Sequence, residues 1–199
     1  MRNAIAIIFA ALLLYAPLAH AAGDCAAEKA YVDNVAGQAL QTIKDTRAGK
    51  IKPAAAKVQF RSILNKSFDI PTIARFTLGR YWRVATPAEQ KEFTNLLQKV
   101  ILEKYADRLL EFSGDKYTVD AAKPMDGGDT VVKSTIFPGD KPPVAFDWRL
   151  RKTAAGLKVI DLSVEGISMS VTHRTDFAST IEANGGKVSA LIAALKGKQ

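Results

Sequence analysis

The chain has 199 residues, 48% of them hydrophobic and 24% charged. These proportions exclude extended disorder and collagen-like or mucin-like architectures, and the length suits one domain able to bury its own core. A single cysteine excludes a disulfide framework and a cysteine-rich zinc site, and two histidines leave little for a histidine-built metal centre. The formal net charge of +8 points to acidic partners, either nucleic acid or an anionic lipid surface.

Residues 1–22 read as an export signal. Arg2 supplies a positive start, Ala4 to Leu14 form an apolar run too short to cross a bilayer, and Pro17 precedes Ala19-His20-Ala21, an A-x-A cleavage pattern. The expected organisation is a signal peptide over 1–21 and a single domain over 22–199, with a cut after Ala22 nearly as good. Asp24 occupies the position where lipid attachment at Cys25 wants a small residue. The signal style fits bacterial secretion, and export weighs against nucleic acid as a partner and leaves Cys25 an unpaired thiol with no assigned role.

The next hundred residues have helical period. Tyr31, Val32, Val35, Ala39, Leu40 and Ile43 recur at three-to-four spacing and predict a helix over 25–48, stopped at Gly49. A second helix starts near Pro53 and carries Val58, Phe60, Ile63 and Leu64. Asp69 and Pro71 open a third, running to Leu78 and stopping at Gly79, with Arg80 to Arg83 as a short turn. Thr86-Pro87-Ala88-Glu89 reads as a capping box with proline at the first helical position. The helix it starts presents Phe93, Leu96, Leu97, Val100, Ile101, Tyr105 and Leu109, and is expected to end near Ser113-Gly114.

The period then changes to two. Strands are predicted at 116–122, 129–137, 143–152 and 157–164, joined by turn residues, so the sheet is an antiparallel meander. A further strand is expected at 167–171, then helices at about 174–184 and 187–196. Helices followed by a sheet give an α+β fold, with N-terminal helices packed on a curved antiparallel meander and short C-terminal helices. In strand 143–152, Val144, Phe146, Trp148 and Leu150 share the inward face, opposite Asp147, Arg149 and Arg151. Ile160, Leu162 and Val164 share a face in the next strand, with Lys158 beside them. Ile167, Met169 and Val171 share one in the last. Either a filled core or a lined cavity fits this pattern.

Catalytic signals are weak. Gly166-Ile167-Ser168-Met169-Ser170 approaches a G-x-S-x-G elbow but lacks the last glycine and follows a meander rather than an α/β unit, which discounts a triad with His173 and Asp176. His173 reads as a surface residue at a helix start. No carboxylate cluster has metal-ligand spacing, and no Walker or dinucleotide glycine pattern occurs. Arg75, Arg80 and Arg83 gather around Tyr81-Trp82, which suits an anionic headgroup, a partner protein or a solvated face.

The run from Phe68-Asp69-Ile70 through Leu78-Gly79-Arg80-Tyr81-Trp82-Arg83-Val84-Ala85-Thr86-Pro87-Ala88-Glu89 to Phe93 resembles the MlaC family of periplasmic phospholipid-binding, or toluene-tolerance, proteins. Tyr105 with Gly114 and Tyr117, Phe146-Asp147-Trp148-Arg149, Val164-Glu165-Gly166-Ile167-Ser168-Met169, and Arg174-Thr175-Asp176-Phe177 with Gly185-Gly186 agree in order. The resemblance implies a hydrophobic pocket between helices and sheet. It implies a carrier, not an enzyme, with no cofactor beyond phospholipid as ligand. The partners it implies are an inner-membrane ABC transporter complex with a lipid-binding ring subunit and an outer-membrane lipoprotein–porin complex. A monomer is expected. The family motif does not mark pocket residues, so the lining candidates come from the amphipathic faces. They are Phe76, Leu78, Tyr81, Trp82, Phe93, Leu97, Ile101, Tyr105, Phe146, Trp148, Ile160, Leu162, Val164, Ile167, Met169 and Val171. A two-chain lipid leaving a bilayer would expose roughly 30 methylenes, on the order of 20–25 kcal/mol, which only a deep pocket offsets. The alternatives are a carrier of another lipid of hopanoid type and a small α+β enzyme with a conical pocket. The enzyme needs a buried polar pair, for which Lys158 is the one inward-facing charge.

Overall fold

Local signals set most of the element boundaries. The computed structural model describes residues 25–112, 114, 116–139 and 141–197, and the expected signal peptide lies outside them. Helix α1 (Ala26–Arg47) is followed by α2 (Pro53–Ser67), α3 (Ile70–Leu78), a 3-10 turn (Gly79–Arg83) and α4 (Pro87–Leu110). Five strands come next: β1 (Lys116–Pro124), β2 (Asp129–Phe137), β3 (Val144–Thr153), β4 (Gly156–Val164) and β5 (Ile167–Ser168). Helices α5 (Met169–Ala183) and α6 (Val188–Lys196) close the chain. The sheet is antiparallel in the order β1-β2-β3-β4-β5, so the fold is the expected α+β meander.

Asp69 caps α3 by accepting the Thr72 amide at 3.0 Å and the Thr72 hydroxyl at 2.7 Å. The α4 capping box forms in both directions: the Glu89 amide donates to Thr86 Oγ1 (3.2 Å) and the Thr86 amide to Glu89 Oε2 (2.9 Å). Each cap satisfies donors that a helix start leaves unpaired. Helix α4 ends at Leu110, one turn before the expected Ser113-Gly114.

Three rows cross the inner face of the sheet: Ser134–Phe146–Val164, Val132–Trp148–Leu162 and Thr130–Leu150–Val159. Val32 and Val35 of α1 pack on these rows. Buried Trp148 directs its indole N–H to Ser134 Oγ at 2.8 Å, so its polar edge is satisfied inside the core. The Tyr117 hydroxyl on β1 donates to the Asp33 carboxylate of α1 at 2.8 Å, and burial with this contact pushes its pKa up to about 12. Gly37 makes room for it, because a Cβ there would lie 3.1 Å from the Tyr117 oxygen.

The structure corrects the reading of β4. Arg149 pairs with Asp161 but Leu150 pairs with Val159, so Ile160 is an extra residue, a β-bulge. Beyond the bulge the faces exchange. Val159 points into the core, whereas Lys158 sits opposite Arg151 on the outer face and donates from Nζ to the Lys66 carbonyl of α2. Lys158 is therefore not an inward-facing charge. The bulge lies where the chain between α2 and α3 reaches the sheet: Phe68 bridges Val159, and the Asp69 amide donates to the Val159 carbonyl at 2.9 Å.

The expected strand 167–171 is also corrected. It is two residues long, and α5 begins at Met169, five residues before the expected start. Ser168 is the N-cap, accepting the Val171 amide at 3.0 Å. Asp161 on β4 accepts the Ser168 hydroxyl (2.5 Å) and the Ser170 amide (3.0 Å), placing a carboxylate at the positive end of the helix. Met169 and Val171 thus lie on a helix, not on one strand face with Ile167.

Candidate functional site

The apolar interior divides into clusters. Helices α3 to α6 and the 3-10 turn build one of them, around Leu78, Tyr81, Phe93, Leu97, Phe177 and Ile181, with the Phe93 and Phe177 rings edge to face at 5.5 Å. The second joins α1 to the sheet through Val32, Val35, Val132, Trp148, Leu150 and Val159. A third, smaller one lies among α1, α2 and α4 around Ile43, Ala56, Phe60 and Ala106. Phe68 packs against the first two clusters, Ile63 against the second and third, and Leu102 against the first and third. These three residues mark where the clusters meet, and none stands among the sixteen expected lining residues. Each sits at a junction that only the tertiary arrangement defines.

The sixteen expected lining residues separate accordingly. Leu78, Tyr81, Phe93 and Leu97 are buried in the helical cluster, with Trp82 and Ile101 half-buried against it. Trp148 is buried in the sheet cluster, with Phe146 and Leu162 half-buried against it. Tyr105, Val164 and Met169 are half-buried, and the Tyr105 hydroxyl lies 3.6 Å from Met169 Sδ, linking α4 to the start of α5. Phe76, Val171 and Ile167 are exposed, at 41%, 52% and 61%. Buried Ile160, at the bulge, lines a different feature described below.

His173 is buried at 5% exposure rather than lying at the surface. Its ring stacks on Phe177 at 5.4 Å and stands edge-on to Tyr105 at 6.4 Å. Its Nε2 has no hydrogen-bond partner. Burial pushes its pKa below the ordinary imidazole value, Lys104 adds to this, and Asp176 opposes it. Ser168 and Ser170 are engaged at the α5 start, with Asp161 rather than with His173.

On the outer side of the sheet, a cleft of about 570 Å³ opens between α3, the 3-10 turn, the β3–β4 surface and α5. Arg75, Arg80, Arg83, Arg149, Arg151 and Arg174 line it, together with Trp82, Phe76, Ile160 and Asp161. The sequence placed only the first three arginines together. Arg149 and Arg151 were legible as one wet strand face, but nothing local linked them to α3. Both clamp Asp129, which is 2% exposed: Arg149 Nη2 lies 2.7 Å from Oδ2 and Arg151 Nε 2.7 Å from Oδ1. Hydrogen bonding from Arg151 lowers the Asp129 pKa, burial opposes it, and Arg149 adds to the lowering. Arg80 Nη2 reaches Tyr81 Oη (2.8 Å) and Glu182 Oε1 (2.5 Å). The Arg174 guanidinium lies over the Phe76 ring at 5.2 Å.

The family model for MlaC protein matches residues 33–197. The chain belongs to the MlaC family. That span runs from within α1 to the end of α6 and so takes in the whole sheet. Toluene tolerance protein ttg2D of Pseudomonas putida is 26% identical over 165 residues, 80% of this chain and 77% of that protein. A solved structure of a phospholipid-binding protein from Ralstonia solanacearum, in complex with a phospholipid, is similar with a TM-score of 0.71 and 29% identity. The match covers 85% of this chain and 94% of that one.

Proposed function

We propose that this MlaC-family chain is a periplasmic phospholipid carrier, a binding protein rather than an enzyme. The observation that carries the reading is its similarity, over most of both chains, to a structure that holds a phospholipid. The divided interior supports it: half-buried Ile101 packs against the helical cluster and half-buried Phe146 and Leu162 against the sheet cluster, rather than all three against one core. In this reading the acyl chains lie between those two clusters, where separation of helices from sheet admits them. Burying roughly 30 methylenes recovers on the order of 20–25 kcal/mol, so loading and release need a partner or a moving element. The carrier shuttles lipid between an outer-membrane lipoprotein–porin complex and an inner-membrane ABC transporter with a lipid-binding ring subunit. Residues 1–21 direct its export.

Native mass spectrometry of the chain exported from a bacterial host tests this. A stoichiometric adduct that releases a two-chain phospholipid is the expected result. A bare protein that also takes no lipid from phosphatidylethanolamine–phosphatidylglycerol vesicles overturns it.

A further inference from the structure

We infer that the arginine cleft is an oxyanion site that takes a phosphoryl group, either the phosphodiester of a lipid headgroup or a free phosphate ester. The first observation is convergence. Six guanidinium groups arrive from α3, the 3-10 turn, β3 and α5, segments far apart in the chain, and line one cavity of about 570 Å³. That size is within the range of small-ligand sites. Like charges gathered in a concavity repel one another and focus a positive potential, which a bound anion relieves.

The second observation is a shortage of carboxylates. One Asp129 serves both Arg149 and Arg151, and Glu182 serves Arg80. Asp161 is engaged by the Ser168 hydroxyl and the Ser170 amide. Among the described residues, Arg75, Arg83 and Arg174 have no ion-pair partner. The third is that several guanidiniums are held in place. Asp129 fixes Arg149 and Arg151 through Nε and Nη2 of each, and Arg174 rests on Phe76 against Gly79, where a Cβ would come within 3.0 Å of its Nε. The basic residues lining the cleft are all arginines, whose planar forks match phosphate oxygens in pairs. The inference does not depend on lipid being carried.

Calorimetric titration of the exported chain with sodium phosphate and with glycerol 3-phosphate, in 0.15 M sodium chloride, tests it. Saturable one-site binding is expected, weakened at least fivefold by Arg75→Gln and by Arg83→Gln. Neither arginine holds an ion pair, so both variants should keep the parent melting temperature. Arg61→Gln, on α2 away from the cleft, should bind as the parent does. Phosphate binding that is blocked while lipid is bound and restored when lipid is stripped identifies the headgroup as the source. Equal binding with and without lipid identifies a free phosphate ester. Heats that never saturate, or a loss shared by Arg61→Gln, overturn the site. A chain found to hold no lipid still gives a decisive titration, so failure of the carrier reading and failure of this site are separable.

Discussion

His173 and Asp129 are two buried ionisable side chains with opposite solutions to the same cost. Asp129 is paired with two guanidiniums, so its charge persists in the interior. His173 has aromatic neighbours and an unpartnered Nε2, so it stays neutral. The consequences for pH differ in sign and window. The folded pKa of His173 lies below 6.5, so the unfolded chain binds a proton first as pH falls. The fold therefore loses stability below about pH 6.5, until the folded histidine itself titrates. His173→Leu removes both the orphan atom and this linkage. Its melting temperature should equal or exceed the parent's at pH 7, and the advantage should widen toward pH 5. An unchanged gap across that range would show that His173 does not titrate on unfolding. Asp129 has a folded pKa below 3.8, so its contribution is present at neutral pH and is lost only as pH falls through that lower value. Asp129→Ala leaves two arginines without their shared acceptor. Because both are 44% exposed, the cost should be about 1–3 kcal/mol in urea unfolding at pH 7, and should shrink as pH falls below the folded pKa of Asp129.

At the level of elements, the outcome depends on whether a boundary is set locally. The Thr86–Glu89 box and the Asp69 cap involve residues three apart, and both were legible in the sequence. Thr86→Ala should cost about 1 kcal/mol by chemical denaturation, with little change in m-value. The start of α5 and the bulge at Ile160 were not legible, because each is decided by a neighbour. Ser168 caps a helix partly because Asp161, seven residues back on β4, accepts its hydroxyl and the Ser170 amide. Ile160 is displaced where Phe68 and Asp69 dock on Val159, and alternation within β4 cannot show that. The same holds for the site. Trp148 and Leu162 were placed on one face correctly because their strand neighbours pair regularly, whereas the cleft joins Arg75 to Arg174 across the molecule. Gly79 ties the two levels together. Its φ of +58° ends α3 in a conformation that suits glycine, and its bare Cα leaves space for Arg174. Gly79→Ala should destabilise by about 1–3 kcal/mol and should weaken phosphate binding as well, by displacing that guanidinium.

For the whole molecule, the question is whether the junction between the helical and sheet clusters is a closed core or a slot that lipid opens. Bulk added there separates the two. An indole forced into a close-packed interior costs about 1–3 kcal/mol, because side chains must leave their rotamers. An indole placed in a slot that otherwise accepts acyl chains finds room, covers apolar surface and competes with the lipid. Leu162→Trp tests the sheet cluster and Met169→Trp the start of α5, where Met169 meets Tyr105 of α4; both positions are half-buried. The carrier reading predicts that each variant, stripped of lipid, melts at or above the parent temperature and carries at least tenfold less lipid by native mass spectrometry. A drop in melting temperature with full lipid retained would make these positions part of a filled core. The acyl chains would then have to lie elsewhere, nearer the α1, α2 and α4 cluster around Phe60.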